Sequence, residues 1–291
     1  MAINHPQAYS KILDKGFTLK ALTAPAFKGK YKVVGGTTKT FKIFATEAQE
    51  LYDYSASKRP TGASGQGAGA FGYKYKAVQN TEQVITATQD RAFSGSIDKE
   101  DAMFSRDGSL DASEFMRTQM EEVIYPTLDK YNIKALYDAV PAAQRVSEAT
   151  TEENAYKVFT GLMTAQTNAK VPASGRVAFA SATFYAKIKL DPTFTPASEL
   201  TAKSRRDGNY GTIDKCLIIE VPDSYMPAAN VQLVLTHESA AAAPKHLADY
   251  NQGEFKESAS GYYVNGRLVH DAFVFDKKKD AVKVLVEPSG A

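Results

Sequence analysis

Four histidines, one cysteine and a few paired carboxylates are the residues of this chain that could carry catalysis or hold a metal. The histidines are His5, His237, His246 and His270. None falls into the HExxH or HxxxH spacing by which a helix offers two imidazoles to one zinc ion. Cys216 lies in the apolar run Cys216-Leu217-Ile218-Ile219. No local histidine or cation would draw off its proton, so it reads as a buried structural thiol. A single cysteine also rules out an intrachain disulfide and the cysteine spacings of zinc fingers, and it fits a reducing compartment. Gly65-Gln66-Gly67-Ala68-Gly69-Ala70 has the glycine density of a phosphate-cradling loop. No Gly-Lys-Ser/Thr follows it, and the glycines read as backbone freedom. Paired carboxylates stand at Asp98, Glu100 and Asp101 and at Glu121-Glu122; adjacent helical residues do not share a face, and these read as solvated surface. Ser94, Ser96 and Ser105 lack the turn of a nucleophile elbow. Arg205-Arg206 can grip a phosphate or a neighbouring subunit's carboxylate, or be a solvated loop tip. The expectation is a chain that is not an enzyme and takes neither cofactor nor metal.

The elements around these residues look built for packing. The chain has 291 residues, 43% hydrophobic and 23% charged, enough for one large domain or two interleaved ones. With 35 basic and 33 acidic residues the net charge is +2, and the longest basic run is Lys277-Lys278-Lys279. That balance argues against a sequence-specific nucleic-acid binder. The N-terminus has no basic-then-apolar signal, and no apolar stretch reaches the roughly 18 residues that cross a membrane.

Residues 1–37 read as an arm that cannot form a core and must dock elsewhere. Residues 38–54 and 81–97 alternate as strands, through Phe41, Ile43, Phe44, Tyr52 and Tyr54 on the way out and Val84, Phe93 and Ile97 on the return. Between them, Lys58 to Gly72 is rich in glycine and reads as a loose tip. A hairpin alone is marginal in water, so this one needs a partner surface. Asp111 and Glu114 form a capping box for a long helix carrying Phe115, Met120, Ile124, Leu128 and Leu136 at helical spacing. Pro126 falls inside that pattern and is expected to kink the helix. A second helix is expected over 152–166, capped by Thr150 or Thr151, then a strand at 176–180 and a helix from Ser181 to Leu190, stopped before Asp191-Pro192. Residues 193–212 read as a loop. Late strands follow at 217–221, 231–235, 262–264, 268–275 and 282–286, with a turn at 276–280.

Several segments, in this order, resemble one family. Thr86-Ala87-Thr88-Gln89-Asp90-Arg91-Ala92-Phe93 through Ile97-Asp98 is similar to the returning strand of an extended loop. Tyr125-Pro126-Thr127-Leu128-Asp129 is similar to a proline-containing spine helix, with Pro-Thr where Pro-Glu is usual. Arg176-Val177-Ala178-Phe179 with Phe184 to Ile188, and Ile213 to Pro222, resemble an axial domain, with Lys215 where glycine is common. His237 to Ala240 and Asp271 to Phe275 resemble its closing region. The family is that of the major capsid proteins of tailed bacteriophages.

The resemblance implies an α+β, Hong Kong 97-like capsid fold with an N-terminal arm (1–37), an extended hairpin loop (38–97), a peripheral domain with a long spine helix (98–140), an axial domain (141–239), peripheral strands (240–277) and a C-terminal strand returning to the axial domain (278–291). It implies an icosahedral shell of pentamers and hexamers around double-stranded DNA, made in a bacterial cytoplasm and ending in the virion. The partners implied are other copies of the chain, a portal, a separate scaffolding protein and non-specifically held DNA, with no membrane. The assembly-interface residues expected are Phe41, Ile43, Phe44, Tyr52, Tyr54, Arg91, Phe93, Arg205 and Arg206, with Pro126 at the spine kink. Some relatives cross-link a lysine to an asparagine; Lys58, Lys74 and Asn80 do not match that chemistry, and no cross-link is expected. An encapsulin-like compartment enclosing enzymes is the alternative, because fold does not fix function.

Overall fold

The alternating run after residue 38 forms a strand, and it is only partly paired as the alternation suggests. The structure, a computed structural model, describes residues 21–30, 32–33, 40–48, 77–78, 80–100, 112–191, 211–255 and 261–288. The chain divides into two compact units, Tyr31–Thr86, and Met1–Lys30 with Ala87–Ala291. In the first, β1 (Lys32–Val33), β2 (Thr40–Thr46) and β3 (Asn80–Thr86) form an antiparallel sheet in that order. Phe41 is opposite Ile85, Ile43 opposite Gln83, and Phe44 opposite Glu82. The reading of 81–97 as one returning strand is corrected here. The run breaks at Ala87-Thr88, and β4 (Gln89–Asp98) joins a different sheet. Period-two alternation is the same on both sides of that break, so it cannot reveal a change of partner.

The second unit continues with helix α1 (Ala112–Thr118), a π-helical stretch (Gln119–Ile124), helix α2 (Tyr125–Asp138), β5 (Val146–Ser147), helix α3 (Ala155–Asn168), β6 (Arg176–Ser181), helix α4 (Ala182–Leu190), β7 (Gly211–Ile213), β8 (Cys216–Val221) and β9 (Val231–His237). Then come β10 (Ala241–Ala242), β11 (Lys245–Glu254), β12 (Gly261–His270), β13 (Phe273–Val274) and β14 (Lys283–Val286). Six strands make the central sheet, in the order β5-β14-β9-β6-β8-β7. Every residue of β6 and of β9 is buried, which explains their unbroken apolar runs: both faces are covered. On one face Val177, Phe179, Ile219 and Val284 pack with Ile133 and Leu136 of α2. On the other Ala178, Ile218, Leu233 and Leu285 pack with Phe159 and Leu162 of α3 and with Phe184 and Ile188 of α4.

Helix ends follow the chemistry of their caps. The Ser181 hydroxyl accepts the Phe184 N–H at the start of α4, and α4 ends at Leu190, as the following Asp-Pro demands. For α3 the expected caps are corrected. The helix starts at Ala155, behind Asn154. The Tyr156 N–H in its first turn is taken by the buried carboxylate of Asp191 at 3.0 Å, from the far end of α4. At the other end of α3 the buried guanidinium of Arg176 accepts nothing and donates to the carbonyls of Met163, Val171 and Pro172 and to the Thr167 hydroxyl. It thus neutralises the helix's negative pole.

The arm is not a separate element throughout. Residues 21–29 form a strap that completes the core of their own chain, with Leu22 and Ala26 buried in it. Both oxygens of the Asp129 carboxylate, on α2, hold the strap: the Leu22 N–H at 2.8 Å, the Thr23 N–H at 3.1 Å and the Thr23 hydroxyl at 2.6 Å. Further on, the Lys28 and Gly29 N–H groups donate to the carbonyls of Glu238 and Ala241. A side chain at Gly29 would collide with the Phe275 ring and the Ala241 carbonyl, so only glycine permits the approach.

Candidate assembly surface

Strand β3 shows what the hairpin lacks. None of its residues is buried, and Val84 is 54% exposed. The unit has backbone pairing but no buried apolar face on this strand, the condition in which a hairpin is marginal. Of the expected interface residues, Phe41, Ile43 and Phe44 fall on β2 at the register given above. Tyr52, Tyr54, Arg205 and Arg206 lie outside the described residues, as do Asp111 and the Lys58–Gly72 tip.

Arg91 and Phe93 are on β4, at the edge of a three-stranded antiparallel sheet ordered β11-β12-β4. Strand β11 was missed in the sequence. Its residues, Lys245 to Glu254, carry few apolar side chains, and an edge strand does not need them. This sheet packs aromatics onto glycines. Phe93 pairs with Gly266 across the strands, and its ring occupies the space a Gly266 side chain would fill. Phe115 of α1 lies in the same way on Gly95. Tyr263 pairs with Gly253 and also meets Phe255, with ring centroids 5.4 Å apart. A glycine opposite an aromatic lets the ring lie flat and cover the backbone of a thin sheet. Arg91 is exposed and donates to the Gln89 side chain. Arg267 grips Asp90 through two nitrogens, at 2.8 and 2.6 Å.

Pro126 is the second residue of α2. The helical run from 112 to 138 continues through it, and the six residues before α2 are wound as a π-helix, whose wider turn gives the Tyr125 N–H the Met120 carbonyl. The Thr127 hydroxyl donates to the Val123 carbonyl at 2.7 Å. The adjustment to proline is thus made ahead of it, in a stretch no propensity rule flags.

The residues first considered for chemistry are dispersed. His237 has a serine hydroxyl on one ring nitrogen and the Ser174 carbonyl on the other. Burial pushes the Cys216 thiol up to about 12, which leaves it inert. Among the described residues no three His, Cys, Asp or Glu side chains gather as a metal site, and no helix is long and apolar enough to cross a membrane.

No family model and no curated protein matches the sequence. Solved structures do match. A chain from Mycobacterium phage Che8 superposes with a TM-score of 0.69 over 98% of both chains, at 18% identity. A chain of the capsid of cyanophage P-SCSP1u gives 0.66 at 13% identity, over 97% of this chain and 92% of that one. A chain of the mature capsid of bacteriophage PhiM1 gives 0.64 at 11% identity, over 99% and 93%. The chain has the Hong Kong 97-like capsid fold. At these identities the likeness is one of fold, and it extends over nearly the whole chain in both directions.

Proposed function

We propose that this chain is the major capsid protein of a tailed bacteriophage, a structural protein and not an enzyme, which assembles with copies of itself into an icosahedral shell of pentamers and hexamers around double-stranded DNA. The observation that carries the reading is the reciprocal coverage by capsid chains of phages, with no sizeable part of this chain left over for another task. The unburied hairpin strand supports it, because a lattice of identical neighbours supplies the covering surface that one chain lacks. Arg91, Phe93, Phe41, Ile43, Phe44, Tyr52, Tyr54, Arg205 and Arg206 are then interface residues, and Pro126 marks where the spine bends. A portal and a scaffolding protein are the further partners, DNA is held without sequence preference, and the chain passes from the host cytoplasm into the virion.

The test is negative-stain microscopy of the purified chain at assembling concentration and varied salt. Closed shells, capsomer rings or tubes are expected. A uniform small particle, persisting when a scaffold from a related phage is added, would count against the reading. Deleting Lys58 to Gly72 is expected to leave the chain folded and to prevent closure of shells. Normal shells from that deletion would remove the hairpin from the assembly argument.

A further inference from the structure

His270 ends strand β12 and is 3% exposed, yet among the described residues neither of its ring nitrogens has a hydrogen-bond partner. Burying polar atoms without partners is costly, so such a group needs a reason. The ring stands edge-on against Tyr131 of α2, with centroids 5.1 Å apart. The Tyr131 hydroxyl donates to one oxygen of Asp271 at 2.8 Å, and that oxygen also takes the Ala272 N–H at 2.7 Å. The other oxygen takes the Thr88 N–H at 3.0 Å. The hydroxyls of Thr88 and Tyr131 are 3.3 Å apart. One carboxylate therefore ties the spine helix to Thr88, two residues after the Tyr31–Thr86 unit ends in the chain.

The groups around the imidazole make this clasp sensitive to its charge. Asp271 adjoins it and would attract a cation, whereas Arg91 on β4 opposes one. Lys245 on β11 and Tyr125 and Asp129 on α2 line, with His270, a cavity of about 170 Å³. Gln89, its register partner on β4, is neutral. Burial holds the imidazole below its ordinary value. The neutral ring's contribution is therefore complete above about pH 6.5, and it is lost as pH falls through the lowered value of the folded chain.

We propose that His270 is a proton-operated release for the Tyr131–Asp271–Thr88 clasp. A charged imidazolium has two N–H donors that need acceptors, and a carboxylate is the strongest acceptor beside it. Asp271 turns to it, and the cavity gives the pair room to turn. Tyr131 and the Thr88 N–H then lose their acceptor, and the segment at Thr88 is untied from α2.

Hydrogen–deuterium exchange on the full chain, corrected for the intrinsic pH dependence of exchange, tests this in the peptide spanning Ala87 to Gln89. Protection is expected to fall roughly tenfold or more between about pH 7.5 and pH 5. His270→Phe keeps the ring against Tyr131 but cannot titrate, and it should hold protection at both pH values. Unchanged protection in the unsubstituted chain, or a fall that persists in His270→Phe, overturns the proposal. If His270→Phe does not fold, the midpoint of the fall in the unsubstituted chain decides. A midpoint below the ordinary histidine value but above the carboxylate range supports histidine control, and one in the carboxylate range near 4 overturns it. The readout lies within one chain, so it stands or falls apart from the shell-building role.

Discussion

In the six-stranded sheet all six residues of β6 and all seven of β9 are buried, whereas in the three-stranded sheet β4 buries one residue of its ten, Ile97. The first sheet has helices on both faces and the 21–29 strap closing one side. The second covers its own backbone with glycine–aromatic pairs, and its middle strand β12 buries five of ten residues while its edge strand β4 stays largely open. The chain thus completes its packing around the first sheet and leaves an open edge on the second. A protein built to stand alone gains little from a thin, open sheet with two edges. A protein that packs against copies of itself can leave that burial to its neighbours.

Four substitutions break or sharpen this contrast. The largest effect belongs to the closed sheet: Phe179→Ala should cost about 4 kcal/mol by denaturant unfolding, because the ring is fully buried in the core. Next is Asp129→Ala, which removes the acceptor of three buried hydrogen bonds to Leu22 and Thr23. A loss of about 2–3 kcal/mol is expected, with new protease cleavage within 21–29. Phe93→Ala should cost the single chain only about 1 kcal/mol, the scale of a cross-strand pair, while sharply reducing the yield of shells counted by microscopy. If Phe93→Ala costs as much as Phe179→Ala, the contrast between the sheets fails. The smallest effect lies at the edge of the closed sheet, in the turn between β7 and β8, where Asp214 and Lys215 both have positive φ, +48° and +66°. Lys215→Gly should raise stability by about 1 kcal/mol, by relieving one left-handed residue.

The same contrast explains what could be read from the residues alone. Strands β6, β8 and β9 and helix α4 are legible because burial on two sides writes long apolar runs, and because Ser181 and Pro192 punctuate α4 locally. The strap escapes notice because its anchor, Asp129, is 106 residues away from Thr23 and looks like any exposed helical carboxylate in the sequence. Asp191 as the cap of α3 is hidden for the same reason. Strand β11 is hidden because Lys245 to Glu254 carries few apolar residues, and an edge strand needs no apolar alternation. The aromatic–glycine pairs leave a faint trace, Phe93-Ser94-Gly95 and Asn265-Gly266, but the pairing of Phe93 with Gly266 depends on a register that neither segment carries by itself. Order and resemblance singled out Arg91 and Phe93, which lie on β4, while the Tyr131–Asp271–Thr88 cluster around His270 joins three stretches with no common motif.

The position of β14 has a consequence for how the molecule comes into being. Residues 283–286 lie inside the central sheet, antiparallel to β9 and parallel to β5. A chain synthesised only as far as residue 280 has β5 with nothing to pair with and one edge of β9 open. Its long-range pairings must wait for the strand that joins them, and closing such distant contacts is slow. The half-made chain, with its central sheet unfinished, is not yet a fully packed unit. Vectorial synthesis therefore sets a clock: a nascent chain reaches its packed form only after residue 286 has been made.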